Sequence, residues 1–292
     1  MKKISVIIPC YNAQAYIPRC LHSIFSQTIG METLEIILVN DASADHTLDI
    51  LLQFENKFPD SVIVVNLEQN IKQGGARNVG LSYASAEYVA FLDADDWIHP
   101  DFYSTLYSLA LKYDTDIIQY PTTDCTLDTE EREEKSCIHH NSKGNGYYEI
   151  NSIIERKQFL NSRILNYGSQ VKFYKRSFLL NNQSSFMEGV AYEEPSFVYP
   201  LLFTAQKIYI FDKPWYYCHI HKESTMQSYV RQKGKLYDHP RVQLFLFNIM
   251  RDKPQIYQCF KSEIDYYFLF TFYYETLYFA VSGHLYLGLD FF

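Results

Sequence analysis

The residues best suited to chemistry in this sequence are the aspartates of LDADDW, residues 92–97. Asp93 and Asp95 follow an apolar run and are two positions apart, so at the end of a strand both carboxylates would project from the mouth of a sheet. Carboxylate oxygens there suit a hard divalent cation, Mg²⁺ or Mn²⁺, that takes its other ligands from water and phosphate groups. Aspartates after strands also cap helices, so the motif alone leaves that alternative open.

Polar residues with complementary chemistry follow the other early apolar runs. Tyr11 offers an aromatic face on which a base can stack, and Asp41 offers an acceptor for a base N–H. Arg77 can reach a base or a phosphate with its planar donor fork. Each of these three has a structural explanation, as a turn aromatic, a loop cap and a surface residue respectively. Together, at the ends of consecutive strands, they favour a nucleotide-diphosphate site, to which we also assign the flanking residues Pro9, Asn12 and Ala94.

These residues need a sheet to bring them together, and the hydrophobic pattern of the first 120 residues predicts one. Short β-branched runs alternate with amphipathic stretches, which is typical of strand–helix units on a mainly parallel sheet. Right-handed crossovers bring the strand carboxyl ends to one edge, where ligands bind in such sheets. The predicted strands are 4–8, 35–39, 62–65, 88–92 and 116–120, and the predicted helices are about 14–27, 45–58, 75–86 and 100–113.

A second pair of acidic residues, Glu193 and Glu194, lies in the segment FMEGVAYEEPSF, residues 186–197. Acidic residues before a helical pattern can simply stabilise the helix N-terminus through its dipole. If the site transfers a sugar, however, one carboxylate has to accept a proton from the attacking hydroxyl. Glu194 is then the candidate base, with Glu193 the next in line.

Several segments of the chain resemble the inverting glycosyltransferases of family 2, whose catalytic domain has the GT-A fold. The resemblance is strong over residues 1–120 and looser over residues 168–226, and the combination of motifs is highly specific. The matching segments are SVIIPCYNAQAYIPRCLHSIFSQT (5–28), EIILVNDASADHT (35–47), GGARNVGL (74–81), EYVAFLDADDWIHPDF (87–102), VKFYKRSFL (171–179), FMEGVAYEEPSF (186–197) and the Tyr-rich strand before Ser224.

The resemblance implies an α/β fold with a mainly parallel central sheet flanked by helices, and a role for each matching residue. Tyr11 and Asp41 would hold the base, usually uracil, while Arg77 contacts the nucleotide and Asp93 lies near the ribose. Asp95 would be the main metal ligand and Glu194 the base that activates a glycan hydroxyl for direct displacement of the nucleoside diphosphate. His219, or His221, would meet the diphosphate, and we assign Glu193, Lys172 and Trp215 to the acceptor side.

The sequence departs from the family pattern at several of these positions. Glu194 replaces the usual Asp, so a longer side chain must hold its oxygen at the same place. Asn40, Ala42 and Lys72 replace an Asp and two Gly residues of the nucleotide loops, and Gln170 stands where a Trp often sits. A sugar-nucleotide-binding protein that has lost turnover is therefore the alternative function, although the retention of both Asp93 and Asp95 argues against it.

Composition restricts the protein class and its partners. A net charge of −8 over 292 residues excludes a protein that wraps nucleic acid by neutralising phosphates. The first apolar run stops at Pro9, and no run of roughly 18 apolar residues follows it, which predicts a cytoplasmic protein, at most peripheral to the inner face of the membrane. The 6 cysteines form no C-x-x-C pair and are predicted to be free thiols.

We predict three regions along the chain. Residues 1–120 form the nucleotide-sugar-binding half, and residues 121–226 form the acceptor-binding half, with a polar insertion at 121–149 that is predicted to be a solvated or mobile loop. Residues 227–292 form a helical extension that becomes rich in Tyr and Phe from residue 257 onward. We expect the segment 257–292 to pack against the catalytic domain or a second subunit, with a lipid surface as the alternative.

Overall fold

The computed structural model describes residues 2–127, 134–162, 164–221 and 238–275. These residues form two sheets, of eight and four strands, with helices on both sides of the larger one. The strands are β1 (Ile4–Cys10), β2 (Leu34–Asn40), β3 (Val62–Asn66), β4 (Tyr88–Phe91), β5 (Trp97–Ile98), β6 (Ile117–Gln119), β7 (Thr122–Leu127), β8 (Glu134–His139), β9 (Gly146–Glu149), β10 (Lys172–Lys175), β11 (Lys207–Ile210) and β12 (Tyr216–His219).

The first four strands are parallel, as predicted, and they are neighbours in the order β3-β2-β1-β4. Every residue of β1 and β2 is buried, because helices cover both faces of this part of the sheet and leave no polar side for an alternating pattern. Ile7 pairs with Ile37 on one side and with Phe91 on the other, which aligns the three strand ends. The first four of the five predicted strands are therefore confirmed.

Strand β10 enters the larger sheet between β4 and β6 and runs antiparallel to both, so the order continues as β10-β6-β11-β9. Because β10 is antiparallel to β4, its first residue, Lys172, lies at the same edge of the sheet as the last residue of β4. The chain segment that precedes Lys172 therefore lies at the edge of the sheet where the aspartates of LDADDW follow β4. The smaller sheet has the order β5-β12-β7-β8.

The helices follow the predicted pattern. In α1 the buried residues Ile17, Cys20, Leu21 and Ile24 repeat every three or four positions, which gives the helix one apolar face toward the sheet. The four helices predicted before residue 114 are all present. The helices are α1 (Ile17–Phe25), α2 (Thr47–Lys57), α3 (Lys72–Tyr83), α4 (Phe102–Tyr113), α5 (Ile153–Ser162), α6 (Arg176–Asn181), α7 (Glu194–Leu202), α8 (Asp238–Arg251) and α9 (Pro254–Leu269).

The segment 121–149 differs from its prediction as a solvated loop, because β7, β8 and β9 lie within it; residues 128–133 are outside the described part. The prediction that all cysteines are free thiols is wrong for one pair, since a disulfide joins Cys125 and Cys137. The reason is the register of the β7–β8 hairpin, which places these two residues directly opposite each other with a Cα–Cα distance of 4.3 Å. Spacing along the chain carries no sign of that register.

The described part of the C-terminal extension is helical, as predicted, and packs on the catalytic domain. Phe260 and Ile264 of α9 are buried in the same core cluster as α7, and Tyr267 stacks on Tyr199 with ring centroids 4.1 Å apart. Residues 276–292 lie outside the described part, so contact of 257–292 with a second subunit or lipid stays a prediction. None of the described helices combines the length and the apolar content that a membrane crossing requires.

Candidate active site

A cleft of about 560 Å³ opens at the carboxyl ends of β1, β2 and β4. Its position agrees with the expectation for a parallel sheet, because the loops that leave these strands form its walls. Most of the predicted site residues line it together, whereas Arg77 and Glu194 are not among the lining residues. The predicted residues that line it are Pro9, Tyr11, Asn12, Asp41, Asp93, Ala94, Asp95 and Glu193.

One end of the cleft combines an exposed aromatic ring with a buried carboxylate. The side chain of Tyr11 is 53% exposed, so its face is available for stacking. Asp41 is buried and accepts a hydrogen bond of 2.7 Å from the backbone N–H of Ile71 through Oδ1. Burial raises the pKa of Asp41, and the backbone N–H groups of Ile71 and Lys72 oppose that rise. Asp41 is therefore held at the cleft wall by backbone donors.

Asn12 has a different role from the one that its position in the cleft wall suggests. Its backbone adopts a left-handed φ of 50°, and its Oδ1 accepts a 2.8 Å hydrogen bond from the N–H of Ala44. The N–H of Asn12 in turn donates to Oγ of Ser43. Asn12 thus joins the loops that follow β1 and β2.

Two of the departures from the family pattern occupy strained backbone. Ala42 has a φ of 55° and Lys72 a φ of 69°, both in the left-handed region that favours glycine. The loops keep the conformation that glycine would adopt freely, although other residues now occupy these positions.

Arg77 links the two acidic motifs at the floor of the site. Its guanidinium donates to Oδ1 of Asp93 at 2.7 Å and to Oε1 of Glu193 at 2.5 Å, and the side chain is only 2% exposed. Burial lowers the pKa of Arg77, but the charges of Asp93 and Glu193 outweigh it and hold that pKa above its usual range. Arg77 is therefore a buried cation between two carboxylates, behind the cleft wall rather than in it.

The close approach of α3 to the second acidic motif depends on a glycine. A Cβ at Gly74 would lie 2.6 Å from the backbone oxygen of Met187 and 2.7 Å from Cγ of Glu193, so no larger residue fits without a shift. Asn78, one turn further along α3, donates to the backbone oxygen of Phe186 at 2.9 Å. These contacts fix Glu193 against Arg77.

Asp95 lies in the cleft beside a histidine. Its Oδ2 is 2.9 Å from Nε2 of His221, and Nδ1 of the same ring is 3.2 Å from the hydroxyl of Tyr16. The side chains of Asp95 and His221 are 31% and 15% exposed, so both are within reach of a ligand. His221, rather than His219, is the histidine that lines the cleft.

His219 and Asp96 support the loop from behind. Asp96 accepts hydrogen bonds from the backbone N–H of His219 at 2.9 Å and from the hydroxyl of Tyr216 at 2.8 Å. Burial lowers the pKa of His219 to about 4, and the neighbouring His221 adds to that effect. His219 does not line the cleft, so its contact with a diphosphate stays a prediction.

The site offers only a few side chains that could bind a divalent cation. Across the described ranges, no group of three or more His, Cys, Asp or Glu side chains is arranged to hold a metal. Oδ2 of Asp95 and Nε2 of His221 nevertheless lie 2.9 Å apart. Two adjacent ligand atoms of one cation are separated by roughly 3 Å when each bond to the metal is about 2.1 Å long, so this distance is close to the required one. The pair fits a cation that takes its other ligands from a phosphate and water.

The two glutamates of the second motif are held differently. Glu194, the first residue of α7, is partly exposed, and its Oε1 accepts hydrogen bonds from the N–H and the hydroxyl of Ser169 at 2.7 and 2.8 Å. Its Oε2 has no hydrogen-bond partner among the described residues. Glu193 is 2% exposed and committed to Arg77. Burial raises the pKa of Glu193 to about 7, and the charge of Arg77 opposes that rise.

The other two residues assigned to the acceptor side lie away from the cleft wall. Lys172 is completely buried, and its ammonium donates to oxygens of the loop that precedes β10. Trp215 stacks on His99 with ring centroids 4.2 Å apart, at the start of the smaller sheet. Neither side chain lines the cleft.

The family model for glycosyl transferase family 2 matches residues 5–181, which is more than half of the chain. The chain belongs to glycosyltransferase family 2. It is 28% identical over 271 residues to the uncharacterised glycosyltransferase YibD of Escherichia coli, and the match spans 90% of this chain and 76% of YibD.

A second relative is the poly(ribitol-phosphate) beta-N-acetylglucosaminyltransferase TarS of Staphylococcus aureus, 28% identical over 231 residues that make up 78% of this chain but only 37% of TarS. The crystal structure of a TarS fragment in complex with UDP-GlcNAc superposes with a TM-score of 0.75 and 24% identity, over 97% of this chain and 76% of the fragment. This likeness confirms the predicted GT-A fold, and with the family membership it identifies the protein as a glycosyltransferase.

A more distant structure of the same fold holds a metal. The mannosyltransferase PcManGT of Pyrobaculum calidifontis, in complex with GDP-Man and Mn²⁺, superposes with a TM-score of 0.58 at 16% identity, over 97% of this chain and 76% of that one. Family 2 members with this fold commonly use divalent metals.

Two features of the site have no signal in the sequence. Ser169, the donor to Glu194, precedes an ordinary strand and belongs to no motif. Tyr16 looks like part of the first helix pattern, although its hydroxyl reaches His221. The sequence separation of 205 residues between Tyr16 and His221 explains why only the folded chain reveals that contact.

Proposed function

We propose that this protein transfers a sugar from a UDP-sugar to a hydroxyl group of a glycan, with inversion at the anomeric carbon. The observation that carries the proposal is the convergence of Tyr11, Asp41 and Asp95 on one cleft. Glu194 does not line this cleft itself, but it follows the lining residue Glu193 in the chain and is held by Ser169. An aromatic face, a buried acceptor and a metal-binding carboxylate match the base, the base N–H and the diphosphate of such a donor.

The preference for uracil has two sources of support. Backbone N–H groups of Ile71 and Lys72 already engage Asp41, which limits its remaining acceptor capacity for a base. Uracil offers a single ring N–H there, whereas guanine offers a ring N–H and an amino group together. The relative TarS has been crystallised with UDP-GlcNAc and with UDP, and we extend that donor class to this chain.

In this proposal Asp95 and His221 would hold Mn²⁺ or Mg²⁺. The bound cation would stabilise the negative charge on the departing diphosphate. Asp93 would stay paired with Arg77 and lie near the ribose, so it shapes the site and is not required as the main ligand.

Glu194 would act as the base. Its free Oε2 takes the proton of the acceptor hydroxyl while the hydroxyl oxygen forms a bond to the anomeric carbon, and the bond from that carbon to UDP breaks on the opposite face. Glu193 is less suited because it is almost completely buried and is engaged by Arg77. The extra methylene of Glu194, compared with the usual Asp, is accommodated by the two hydrogen bonds from Ser169.

The acceptor would be a glycan or a lipid-linked glycan in bacterial surface polysaccharide or glycoconjugate synthesis. Support comes from TarS, a poly(ribitol-phosphate) beta-N-acetylglucosaminyltransferase, and from a poly(ribitol-phosphate) beta-glucosyltransferase of Bacillus spizizenii that is 36% identical over 39% of this chain. This chain spans 18% of the length of that second relative, so the acceptor is part of the proposal.

Nucleotide binding tests the donor assignment. UDP with Mn²⁺ should raise the melting temperature more than UDP alone and more than GDP with Mn²⁺, because a ligand that binds only the folded state stabilises it. Tyr11→Ala should weaken UDP binding by about 1–3 kcal/mol, the range for loss of a base-stacking ring. Tyr83→Ala is the matched control, since Tyr83 is 50% exposed and lies outside the cleft.

Two results would contradict this assignment. Stronger stabilisation by GDP than by UDP would reject the uracil preference. An identical melting temperature with UDP in the presence and absence of Mn²⁺ would remove the metal role from Asp95 and His221.

A further inference from the structure

Lys172 is a completely buried lysine next to the active site, and its charge has no role in the proposed reaction so far. It is the first residue of β10, and its Nζ donates to three oxygens of the preceding loop: the backbone oxygen of Asn166 at 2.7 Å, Oδ1 of Asn166 at 2.8 Å and the backbone oxygen of Gly168 at 2.8 Å. Burial lowers the pKa of Lys172 to about 7, and the charge of Glu194 opposes that change. Three acceptors at these distances require three donors, which only the ammonium form supplies.

The loop that Lys172 holds is the one that holds Glu194. The N–H and hydroxyl of Ser169 both donate to Oε1 of Glu194, at 2.7 and 2.8 Å. The peptide group between Gly168 and Ser169 therefore has Lys172 on its oxygen and Glu194 on its nitrogen. Because a peptide unit is planar, fixing the direction of its C=O also fixes the direction of its N–H. The ammonium also polarises the same peptide, which strengthens its N–H as a donor.

The rest of the loop is tied down by neighbouring strands, so the arrangement is built rather than incidental. Gln119 of β6 donates to the backbone oxygen of Ile164 at 2.8 Å and accepts from the N–H of Asn166 at 2.9 Å. The hydroxyl of Tyr174 donates to the backbone oxygen of Ser169 at 3.3 Å. Among these contacts of the described residues, Lys172 supplies the positive charge.

We propose that Lys172 is a positioning residue for the transfer reaction: through the Gly168–Ser169 peptide it fixes the orientation of Glu194, so that the free Oε2 faces the acceptor hydroxyl. This inference rests on the proposed function, in which Glu194 is the base. Lys172 touches neither the donor nor the acceptor, and its removal acts only through the loop.

The test compares single and double variants in UDP release from the UDP-sugar that the enzyme turns over fastest. Lys172→Met keeps the length of the side chain and removes the donors; it should lower kcat by about 10- to 100-fold, as expected when a reacting group is misplaced by about 1 Å. The KM for the UDP-sugar and the Kd for UDP should not change, because the donor pocket is untouched. Lys175→Met, three residues further along the same strand in an exposed ion pair with Asp114, should leave kcat unchanged.

The double variant separates positioning from general support of the fold. In a Glu194→Gln background the reaction no longer uses the oriented carboxylate, so adding Lys172→Met should cause no further loss of kcat. Equal fold losses from Lys172→Met in both backgrounds would overturn the positioning role. Normal kcat in Lys172→Met combined with a large loss in Glu194→Gln would also overturn it, while leaving the base assignment intact.

Asn166→Ala provides a second variant if Lys172→Met loses UDP binding or fails to fold. Asn166 is exposed, and its side chain supplies one of the three acceptors while its backbone oxygen supplies another, so Asn166→Ala removes one acceptor and leaves the core unchanged. It should lower kcat in the wild-type background and have no effect in the Glu194→Gln background; an unchanged kcat in the first would reject the proposal. Full turnover in Glu194→Gln itself would reject the base assignment, and the positioning role with it.

Discussion

The proposed donor side of the site, with Tyr11, Asp41 and Asp95, and its proposed base side, with Glu194, are built by different means. On the donor side Tyr11, Asp41 and Asp95 follow the ends of β1, β2 and β4 within a few residues, and the parallel order of the sheet brings them together. On the base side Glu194 takes its position from Ser169, 25 residues away in the chain, and through a buried lysine and a loop. Backbone topology thus sets the geometry of the donor side, whereas a network of buried polar side chains sets that of the base side.

Arg77 connects the two sides. It belongs to α3 on the donor side, yet it donates to Glu193, 116 residues away. Removal of Arg77 should therefore lower the free energy of unfolding more than removal of an exposed ion pair among the described residues.

The largest expected effect on stability is that of Arg77→Met. This change leaves two carboxylates, Asp93 and Glu193, without their shared cation in a buried place, and removal of one partner from a buried ion pair typically costs about 3–5 kcal/mol. Urea unfolding measures the loss. Arg251→Met is the control, because Arg251 is 57% exposed and 3.9 Å from Asp252, and it should stay within about 0.5 kcal/mol of the wild type. Equal losses in the two variants would mean that Arg77 does not join the two sides.

A smaller effect concerns pH. Burial raises the pKa of Glu193 from 4.5 to about 7 in the folded protein. Folded Glu193 therefore keeps its proton where the unfolded chain has lost it, so its contribution is complete below pH 4.5 and disappears as the pH rises to about 7. The free energy of unfolding should fall over that window by at most about 1.4 kcal/mol per pH unit from this group.

Glu193→Gln should flatten that slope, and urea unfolding at several pH values between 4.5 and 7 provides the measurement. Glu188→Gln, in the exposed part of the same segment, should keep the wild-type slope. Parallel slopes for all three proteins would show that burial does not perturb Glu193, and that the base side is less tightly closed than the contacts of Arg77 indicate.

The same contrast explains how much the sequence predicts. The four parallel strands, their helices and the cleft residues at their ends could be predicted, because continuous apolar runs and strand-end polar residues report on local structure and on the direction of the crossovers. The antiparallel entry of β10 and the Cys125–Cys137 disulfide depend on pairing between strands that are distant or separated by a polar segment. No local pattern encodes that pairing.

The site shows the same limit at the level of single residues. Asp41 and Asp95 were predictable as cleft residues from their places after strands. The contact of Ser169 with Glu194 depends on how the loop before β10 folds. Similarly, the position of His221 beside Asp95 depends on how the smaller sheet forms. Likewise, the sequence assigns Lys172 to the acceptor side, whereas its complete burial is known only from the folded chain.

In the proposed function the cleft binds a UDP-sugar and Glu194 activates the acceptor. The most direct test measures both UDP affinity and UDP release from a panel of UDP-sugars for the wild type and for Glu194→Gln. We predict that the variant binds UDP with the affinity of the wild type. Its rate of UDP formation from the UDP-sugar should be lower by on the order of 10² or more, the range for loss of a general base. Unchanged turnover in the variant would contradict the assignment of Glu194, and UDP binding without turnover of any UDP-sugar by the wild type would contradict the proposed reaction itself.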